Sequence, residues 1–360
     1  MTSFKTGQVL EILSHRNDVT EARVDVGGQI FSAVNYDSIT SDIKIGDVVV
    51  LNTIAVELSL GTGGKHFVLW NLRHKSISSN TQGHILKLRY TPLQMRCLAV
   101  EEEESPYHDQ LKDSMDLKGM PVIAGSLHSQ LPAIAATIKS LNPTVRIAYV
   151  MTDGAALPIA FSNMVAKLKS LHLIDKTITC GHAFGGDLEA INIFSALTAS
   201  REAAGADICV VLMGPGVVGT ATTLGYTGIE QGVILNAVAA LKGTPIAAVR
   251  MHFADKRKRH YGISHHTRTA LSLAALAKSV VVIPKLAEDK KQLVFEQLEE
   301  SGILSKHDVV EVKNDITIEA LRSSNLDVTT MGRSVAEESD FFSAAGASGI
   351  YAVRLLEQGL

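Results

Sequence analysis

Polar and glycine-rich segments directly follow five aliphatic runs of the sequence, and they hold most of the side chains that could do chemistry. In a parallel α/β sheet such segments meet at the carboxyl edge, where ligands bind beside a reversal of strand order. Histidine and aspartate gathered at that edge suit proton transfer or metal binding. The candidate catalytic groups are His128, Asp153, His182, Asp187, Asp255 and His265. The sequence therefore predicts one site built from several strand ends.

The segment Gly214–Thr220 reads Gly-Pro-Gly-Val-Val-Gly-Thr after an aliphatic run, which resembles a dinucleotide-binding loop. Glycines in such a loop let backbone amides approach a phosphate. The candidate cofactor-binding positions in it are Gly214, Gly216, Gly219 and Thr220. Pro215 removes one amide donor, however, and Thr222–Gly228 is too rich in glycine and threonine to open a helix. A tight turn is therefore the alternative to a phosphate cradle.

The segment Arg250–Arg268 carries the densest charge in the chain, with six Lys/Arg residues and four histidines against one acid, Asp255. A phosphate or carboxylate could bind there through paired arginine contacts and a helix predicted to open near Ser264. The candidate contacts are Arg257, Arg259 and His266, with Arg333 from the segment Thr329–Ser334. The alternative is a solvated basic loop, the usual role of a run of charges.

A divalent metal is a further alternative for the same histidines and aspartates. No His-x-x-x-His or His-x-His spacing occurs, so the sequence assigns no metal ligand and leaves the cofactor unknown. Ser126, Thr152 and Cys180 are candidate nucleophiles, but none lies in a Gly-x-Ser-x-Gly elbow. No catalytic triad is predicted.

The elements that must position these groups change character near residue 80. Residues 1–80 form short alternating runs with a hairpin signal at Gly27–Gly28 and a glycine loop at Gly61–Gly64, which predicts a small all-β module, a barrel or a sandwich. The small polar stretch Ser76–Gly83 is the predicted linker. From residue 84 to 360, aliphatic runs alternate with amphipathic segments of helix length. This alternation predicts a doubly wound, Rossmann-like α/β domain with a mostly parallel sheet.

The runs predicted as strands of that domain are Ile85–Leu88, Val122–Ala124, Arg146–Met151, Thr177–Cys180, Ile208–Met213, Pro245–Val249, Val280–Ile283 and Val309–Val312. The predicted helices include Leu131–Leu141, Ile159–Leu171, Leu188–Ala203, Val233–Leu241, Thr269–Ala277 and Lys290–Glu300. Capping-box patterns at Thr91–Gln94, Thr227–Glu230 and Ser334–Glu337 predict helix starts there.

Composition limits the class of protein. Of the 360 residues, 46% are hydrophobic and 20% charged, and the net charge is −3, which argues against a general nucleic-acid binder. Three cysteines without metal-like spacing, no signal-peptide pattern and no long apolar run predict a cytoplasmic protein that does not span a membrane. The high apolar fraction with few charges predicts a homo-oligomer, most simply a dimer.

Three segments together resemble an uncharacterised bacterial family that is defined only as a domain of unknown function. These are Asn52–Val56 together with Leu60–Gly64, then Arg259–Thr267, and then Thr330–Arg333. The resemblance covers essentially the whole chain and implies a bacterial, cytosolic origin. It implies no activity, substrate or catalytic residue.

The leading functional hypothesis is an enzyme that acts on a small phosphorylated or otherwise anionic metabolite at the carboxyl edge of the sheet. The alternative is a non-catalytic sensor or partner-binding protein that uses the same cleft for recognition. An enzyme needs titratable groups that converge within hydrogen-bond reach, whereas a sensor needs only donors for the anion. An oligonucleotide-binding β module is a third reading, which the few aromatic residues and mixed charge of that module do not favour.

Overall fold

The computed structural model describes residues 2–61, 63–78 and 81–359. They form two compact units, and the division falls between Leu98 and Ala99. The predicted linker therefore lies within the first unit, and its residues Ser79 and Asn80, like Thr62 of the glycine loop, fall outside the described residues. Independent folding of the β module stays a prediction.

The N-terminal unit contains a closed five-stranded barrel with the strand order β1-β2-β3-β5-β4. Its strands are β1 (Phe4–Arg16), β2 (Val19–Val26), β3 (Gln29–Tyr36), β4 (Val48–Asn52) and β5 (Lys65–Asn71), with the short helices α1 (Asp37–Thr40) and α2 (Ile54–Glu57). β1 pairs with both β2 and β4, and β3 pairs in parallel with β5. This is the arrangement of an OB-fold, so the barrel alternative is confirmed and the sandwich is not formed.

Alternating side chains explain why the barrel closes. The inward residues Val9, Val24, Val49 and Leu51 are buried and form its core. Register shifts in the pairing of β1 with β2 bend that long strand around the barrel. The predicted hairpin at Gly27–Gly28 is confirmed, because both glycines have positive φ angles, 64° and 87°, which favour a two-residue turn.

Two sequence predictions fail at the end of the first unit. Ile85–Leu88 was expected to begin the α/β sheet, but β6 (Ile85–Lys87) pairs antiparallel with β7 (Met95–Cys97) instead. The expected helix start at Thr91 is a turn, in which the Gln94 amide donates to the Thr91 carbonyl at 3.1 Å. A strand this short finds its partner across a nearby turn more readily than across a long crossover.

The C-terminal unit is built on an eight-stranded sheet in which every pair of neighbours is parallel. Its strands and those of the small hairpins are β8 (Pro121–Ala124), β9 (Ile147–Thr152), β10 (Lys176–Cys180), β11 (Leu188–Ala190), β12 (Ile208–Met213), β13 (Thr244–Ala248), β14 (Met251–His252), β15 (Gly262–Ile263), β16 (Val280–Pro284), β17 (Asp308–Val312), β18 (Thr329–Thr330) and β19 (Arg333–Ser334). The predicted parallel α/β fold is confirmed.

The helices of this unit are α3 (His108–Leu111), α4 (Leu131–Leu141), α5 (Asn163–Ser170), α6 (Ile193–Glu202), α7 (Glu230–Ala240), α8 (His265–Thr269), α9 (Glu288–Glu300), α10 (Ile303–Lys306), α11 (Thr317–Ser323) and α12 (Ser339–Glu357). One hydrophobic core packs α4, α5, α11 and α12 on one face of the sheet. A second core packs α6, α7 and α9 on the other face. The unit is therefore a three-layer α/β/α sandwich, and its strands are aliphatic because both of their faces are buried.

Several element boundaries differ from the prediction. The predicted helix Leu188–Ala203 begins with the edge strand β11, because Asn192 caps α6 by accepting from the Phe194 and Ser195 amides. The predicted helix Thr269–Ala277 begins earlier, as α8, and ends in a π-helical turn at Ala270–Ala274. Within the described residues, no helix has the length and apolar character required to span a membrane.

Strand order places a crevice in the middle of the sheet. The order is β11-β10-β9-β12-β8-β13-β16-β17, so the chain leaves β8 toward one edge and β13 toward the other. The carboxyl ends of β8 and β13 therefore diverge, and this is where doubly wound sheets bind ligands.

Two glutamine side chains bridge the diverging strand ends. Gln231 Nε2 donates to the carbonyls of Ala124 and Ala248, both at 2.9 Å. Gln130 Oε1 accepts from the Ser126 amide at 3.0 Å, and its Nε2 donates to Val249 O at 3.1 Å. Both glutamines are fully buried. The segments that leave β8 and β13 are thus fixed to the sheet.

Candidate functional site

The segment after β13 returns on itself and gathers its polar side chains in one place. β14 and β15 pair antiparallel, with His252 opposite Gly262, and α8 begins directly afterwards. Gly262 has a φ angle of 74°, and a Cβ there would lie 2.4 Å from Gln297 Oε1. Gln297 also accepts from the Ile263 amide at 2.7 Å. This turn therefore requires glycine, and it fixes where α8 starts.

Three histidines meet at this turn, and we call His260, His265 and His266 the histidine cluster. Each offers a ring nitrogen, and these nitrogens all lie within 4.8 Å of one another. His260 Nδ1 is 2.7 Å from Ser264 Oγ, which also caps α8 by accepting from the His266 amide. The predicted helix start after Ser264 is confirmed, and it is what turns the histidines toward one another.

The walls of the cluster are aromatic and cationic. The His266 ring stacks on Tyr226 with a centroid distance of 3.9 Å and an angle of 2°. Arg250 Nη1 lies 3.3 Å from His266 Nδ1, and Arg259 Nε lies 3.4 Å from His260 Nε2. His265 Nε2 is buried and has no hydrogen-bond partner among the described residues. An unpaired buried nitrogen is destabilising, so this atom indicates a place for a ligand.

A chain of buried polar groups supports the cluster from behind. Arg250 Nε donates to His252 Nε2 at 3.1 Å, and His252 Nδ1 lies 3.2 Å from Glu338 Oε1. Arg333 Nε donates to the same Glu338 oxygen at 2.5 Å. His252 also stacks on Phe341 of α12. These contacts fix the orientation of the Arg250 guanidinium beside the histidine cluster.

Asp255 is engaged by arginine and is buried, with 5% of its surface exposed. The Arg257 side chain donates to both carboxylate oxygens, at 3.0 and 2.7 Å, and the Arg257 amide donates at 2.9 Å. Arg333 Nη2 lies 3.6 Å away. The hydrogen bonds from Arg257 are the main reason why the pKa of Asp255 is held far below its usual range. Asp255 is therefore an ionised anchor of the basic segment.

Burial is the largest influence on the imidazoles, and nearby arginines add to it. Together they lower the pKa of His252, His260 and His266 to about 3. The pKa of His265 is also lowered, by burial and then by Arg259. Burial lowers the pKa of Arg250 to about 10, so its guanidinium is still charged at neutral pH. Neutral imidazoles thus face charged guanidiniums.

The glycine loop lies against the histidine cluster but does not open a helix. Gly219 forms a bridge with Tyr226, and a Cβ on Gly219 would lie 3.4 Å from the His266 ring. The Thr220 amide and hydroxyl both bond to the Gly225 carbonyl, at 2.8 and 2.9 Å. The dinucleotide-type cradle is therefore not formed, because these donors are used within the loop itself. Gly214 and Gly216 line a different cavity.

That cavity, of about 390 Å³, is lined mainly by apolar groups and contains His128. His128 Nε2 lies 2.7 Å from Ser162 Oγ, and its Nδ1 lies 3.2 Å from the Tyr149 hydroxyl. Burial lowers the pKa of His128 to about 4. Both ring nitrogens are engaged inside the protein, so His128 is not among the groups gathered at the histidine cluster.

The other predicted acid–base groups also lie elsewhere. Asp153 Oδ2 accepts from the His182 amide at 2.9 Å and so fixes the turn after β10. Asp187 accepts from the Thr177 amide at 2.8 Å and pairs with Lys169. Since Thr177 is near the start of β10, Asp187 lies at the amino edge of the sheet. Its expected place at the carboxyl edge was wrong, because the chain crosses back before β11.

A group that sequence reasoning missed lies beside Asp153. Thr152 Oγ1 donates to Glu230 Oε1 at 2.5 Å. Burial is the main reason why the pKa of Glu230 is raised to about 7, and the nearby Asp153 charge adds to it. A carboxyl group with a pKa near neutrality can give or take a proton. Glu230 had been recognised only as the end of a capping box.

The structure therefore brings together about half of the predicted site residues. Asp255, His265, His266, Arg257, Arg259, Arg333 and Gly219 gather around the histidine cluster or its support. The sequence analysis did not single out His252, His260, Tyr226 or Glu338. The position of His252 after an aliphatic run could have indicated a site residue. The contact of Glu338 with His252 depends on how α12 packs, which the sequence pattern does not show. The catalytic and binding roles stay predictions.

A five-stranded barrel and a parallel α/β/α unit with a histidine- and arginine-rich strand end define the class of this chain. A family model described as a protein of unknown function, DUF3866, matches residues 32–349. The chain belongs to that family. No curated protein matches it. The bacterial origin implied by the sequence resemblance stays a prediction.

Proposed function

We propose that the chain is an enzyme that binds a small phosphorylated or carboxylate metabolite at the histidine cluster. The observation that carries this proposal is an imbalance of charge. The buried carboxylates Asp255 and Glu338 are already paired with Arg257 and Arg333. Among the described residues, Arg250 has no carboxylate within 4.0 Å, and nor does Arg259.

Arg268 adds to this positive field. Its Nη1 reaches the exposed Glu300 only at 4.0 Å, and its buried Nε has no hydrogen-bond partner within the part of the chain that the structure describes. Three guanidiniums that lack a close carboxylate, next to neutral imidazoles, favour an anionic ligand. Hydrogen bonds from arginine to phosphate or carboxylate are among the strongest that a protein can offer.

The imidazoles give the site a means to transfer protons. An anion beside them opposes the effect of the arginines, so it raises their pKa values toward neutrality. Histidine would then be able to accept a proton from a bound metabolite or to donate one. A sensor would need the arginines alone, so measurable turnover that depends on His265 would separate the enzyme from the sensor.

Calorimetric titration with inorganic phosphate, sugar phosphates and nucleotides tests the binding step. We expect the double variant Arg259→Ala/Arg268→Ala to lose roughly 2–4 kcal/mol of anion affinity, since each charged hydrogen bond contributes about 1.5–3 kcal/mol. The control is Arg322→Ala, which removes an exposed arginine of α11. If none of these anions binds the wild type, or the double variant binds as tightly, the arginines beside the histidine cluster do not form an anion site.

A further inference from the structure

The histidine cluster has the composition of a metal site as well as of an anion site. His260 ends a short 3₁₀ turn, while His265 and His266 begin α8, so two elements face each other across a small gap. Their ring nitrogens lie within 4.8 Å of one another. Three histidines and one open position are a common ligand set for catalytic zinc, with each nitrogen about 2.0–2.1 Å from the ion.

The nitrogens would have to approach one another for this. In a tetrahedral site with such bonds, two nitrogens are about 3.3 Å apart, so the rings must close in slightly on binding. No hydrogen bond at His265 Nε2 resists this movement, because that atom is buried without a partner among the described residues. The orientation of the His260 ring is fixed by its hydrogen bond to Ser264, and that of the His266 ring by stacking on Tyr226.

Outer contacts of metal-binding histidines fix which nitrogen carries the lone pair. His260 can donate from Nδ1 to Ser264 Oγ at 2.7 Å, which leaves Nε2 as the ligand atom. Arg250 opposes the same arrangement in His266, because its guanidinium lies 3.3 Å from Nδ1 and favours the lone pair there. Metal binding therefore requires Arg250 to turn away from His266, and it requires Arg259, whose Nε lies 3.4 Å from His260 Nε2, to turn away from that ligand atom. An anion in the site would attract both guanidiniums.

The arginines also repel any cation in this place. Arg250, Arg259 and Arg268 together oppose the binding of a bare divalent ion to three neutral ligands. A bound phosphate or carboxylate removes that repulsion and can supply an oxygen as the fourth ligand. The metal and the anion should therefore strengthen each other's binding, and by thermodynamic linkage the factor must be the same in both directions.

We propose that His260, His265 and His266 hold a divalent transition metal whose open position receives the anionic metabolite. The anion part rests on the proposed function, whereas the metal part rests on the three histidines themselves. A metal in this place would polarise a phosphoryl or carbonyl oxygen of the metabolite, and the three imidazoles would then serve as its ligands instead of transferring protons. The class of reaction that fits is a metal-assisted transfer or hydrolysis at that group.

The experiment titrates the full chain with Co²⁺, whose visible spectrum reports tetrahedral coordination, in the absence and presence of sulfate. We expect sulfate to tighten Co²⁺ binding, and Co²⁺ to tighten sulfate binding by the same factor. His265→Gln should weaken Co²⁺ binding on the order of 100-fold, because one of three ligands is lost. The control, His172→Gln, replaces an exposed histidine of the same unit and should bind Co²⁺ like the wild type.

The outcomes separate the two proposals. Sulfate binding with no tetrahedral Co²⁺ spectrum, or with equal Co²⁺ affinity in wild type and His265→Gln, overturns the metal site and leaves the proposed function standing. The other outcome is a His265-dependent Co²⁺ site whose affinity sulfate does not change, in a protein that does not bind sulfate. That outcome would overturn the coupling and the proposed function instead. The unfolding midpoint of His265→Gln, compared with that of the wild type, separates loss of the metal site from loss of the fold, since the buried His265 Nε2 has no hydrogen bond to lose among the described residues.

Discussion

Replacing Glu230 by glutamine should remove a definite part of the pH dependence of stability. Burial raises the pKa of Glu230 from 4.5 to about 7 in the folded chain. The folded state therefore binds this proton more tightly than the unfolded state. The resulting stability is fully present below about pH 4.5 and is lost as the pH rises through about 7.

The magnitude follows from the same two values. At 1.36 kcal/mol per pH unit, the interval from 4.5 to about 7 corresponds to about 3 kcal/mol. Glutamine has the shape of the protonated carboxyl group, and its Oε1 can accept the hydrogen bond from Thr152 Oγ1. We therefore expect Glu230→Gln to match the wild type near pH 4.5 and to exceed it by about 3 kcal/mol near pH 8.

Chemical denaturation followed by helical circular dichroism gives the free energy of unfolding at each pH. The helical signal reports the C-terminal unit, because the described residues of the barrel unit form only the four-residue helices α1 and α2. The control is Glu296→Gln, an exposed carboxylate on α9 that leaves Glu230 in place. A constant difference between wild type and Glu230→Gln from pH 4.5 to 8 would refute the assignment of this proton to Glu230.

Three further predictions concern stability and assembly. Arg257→Ala should lower the free energy of unfolding by about 1–3 kcal/mol, because the buried Asp255 loses both side-chain hydrogen bonds and keeps the backbone amide of residue 257 and the more distant Arg333. Denaturant titration measures this, and an unchanged midpoint would contradict it. Gly262→Ala should also destabilise the protein by about 1–3 kcal/mol, since its φ of 74° and the contact with Gln297 both oppose a side chain. The control Gly302→Ala isolates the backbone contribution, because a Cβ at Gly302 would meet no atom of the described residues within 4 Å. Thermal melts that rank the two variants equally would count against the steric contribution. Light scattering of the full chain should give the mass of a homodimer, and a monomer at micromolar concentration would decide against the association.

The sheet was predictable because its signal is local. Runs such as Ile208–Met213 and Val280–Ile283 are aliphatic, of strand length and separated by helix-length segments, so the parallel α/β class follows from them. The capping serine of α8 was visible for the same reason. Ile85–Leu88 was misplaced because an aliphatic run does not specify its partner strand. The edge strand β11 was missed because its three residues were absorbed into a helical pattern.

The site was only partly predictable because its contacts are distant in sequence. Position after a strand selected Asp255, the density of charge selected the neighbouring basic residues, and these do gather. The same rule selected His128 and Asp187, whose side chains are engaged by the Ser162 hydroxyl and by Lys169. Nothing in the local pattern distinguishes a histidine bound to a serine hydroxyl from one that faces a ligand. The elevated pKa of Glu230 depends on burial against Thr152, which no spacing reveals.

The glutamine bridges at the centre of the sheet limit how far the crevice can move when a ligand binds. Gln130 and Gln231 tie the segments after β8 and β13 to strand carbonyls by several buried hydrogen bonds. Any movement of those segments must break bonds that no solvent replaces. The floor of the crevice thus behaves as a fixed template, and adaptation to ligands of different size is left to the exposed segment 256–259 and the Thr329–Ser334 hairpin above it. Exchange of backbone amides should accordingly slow at those outer segments on binding and stay unchanged at Ser126.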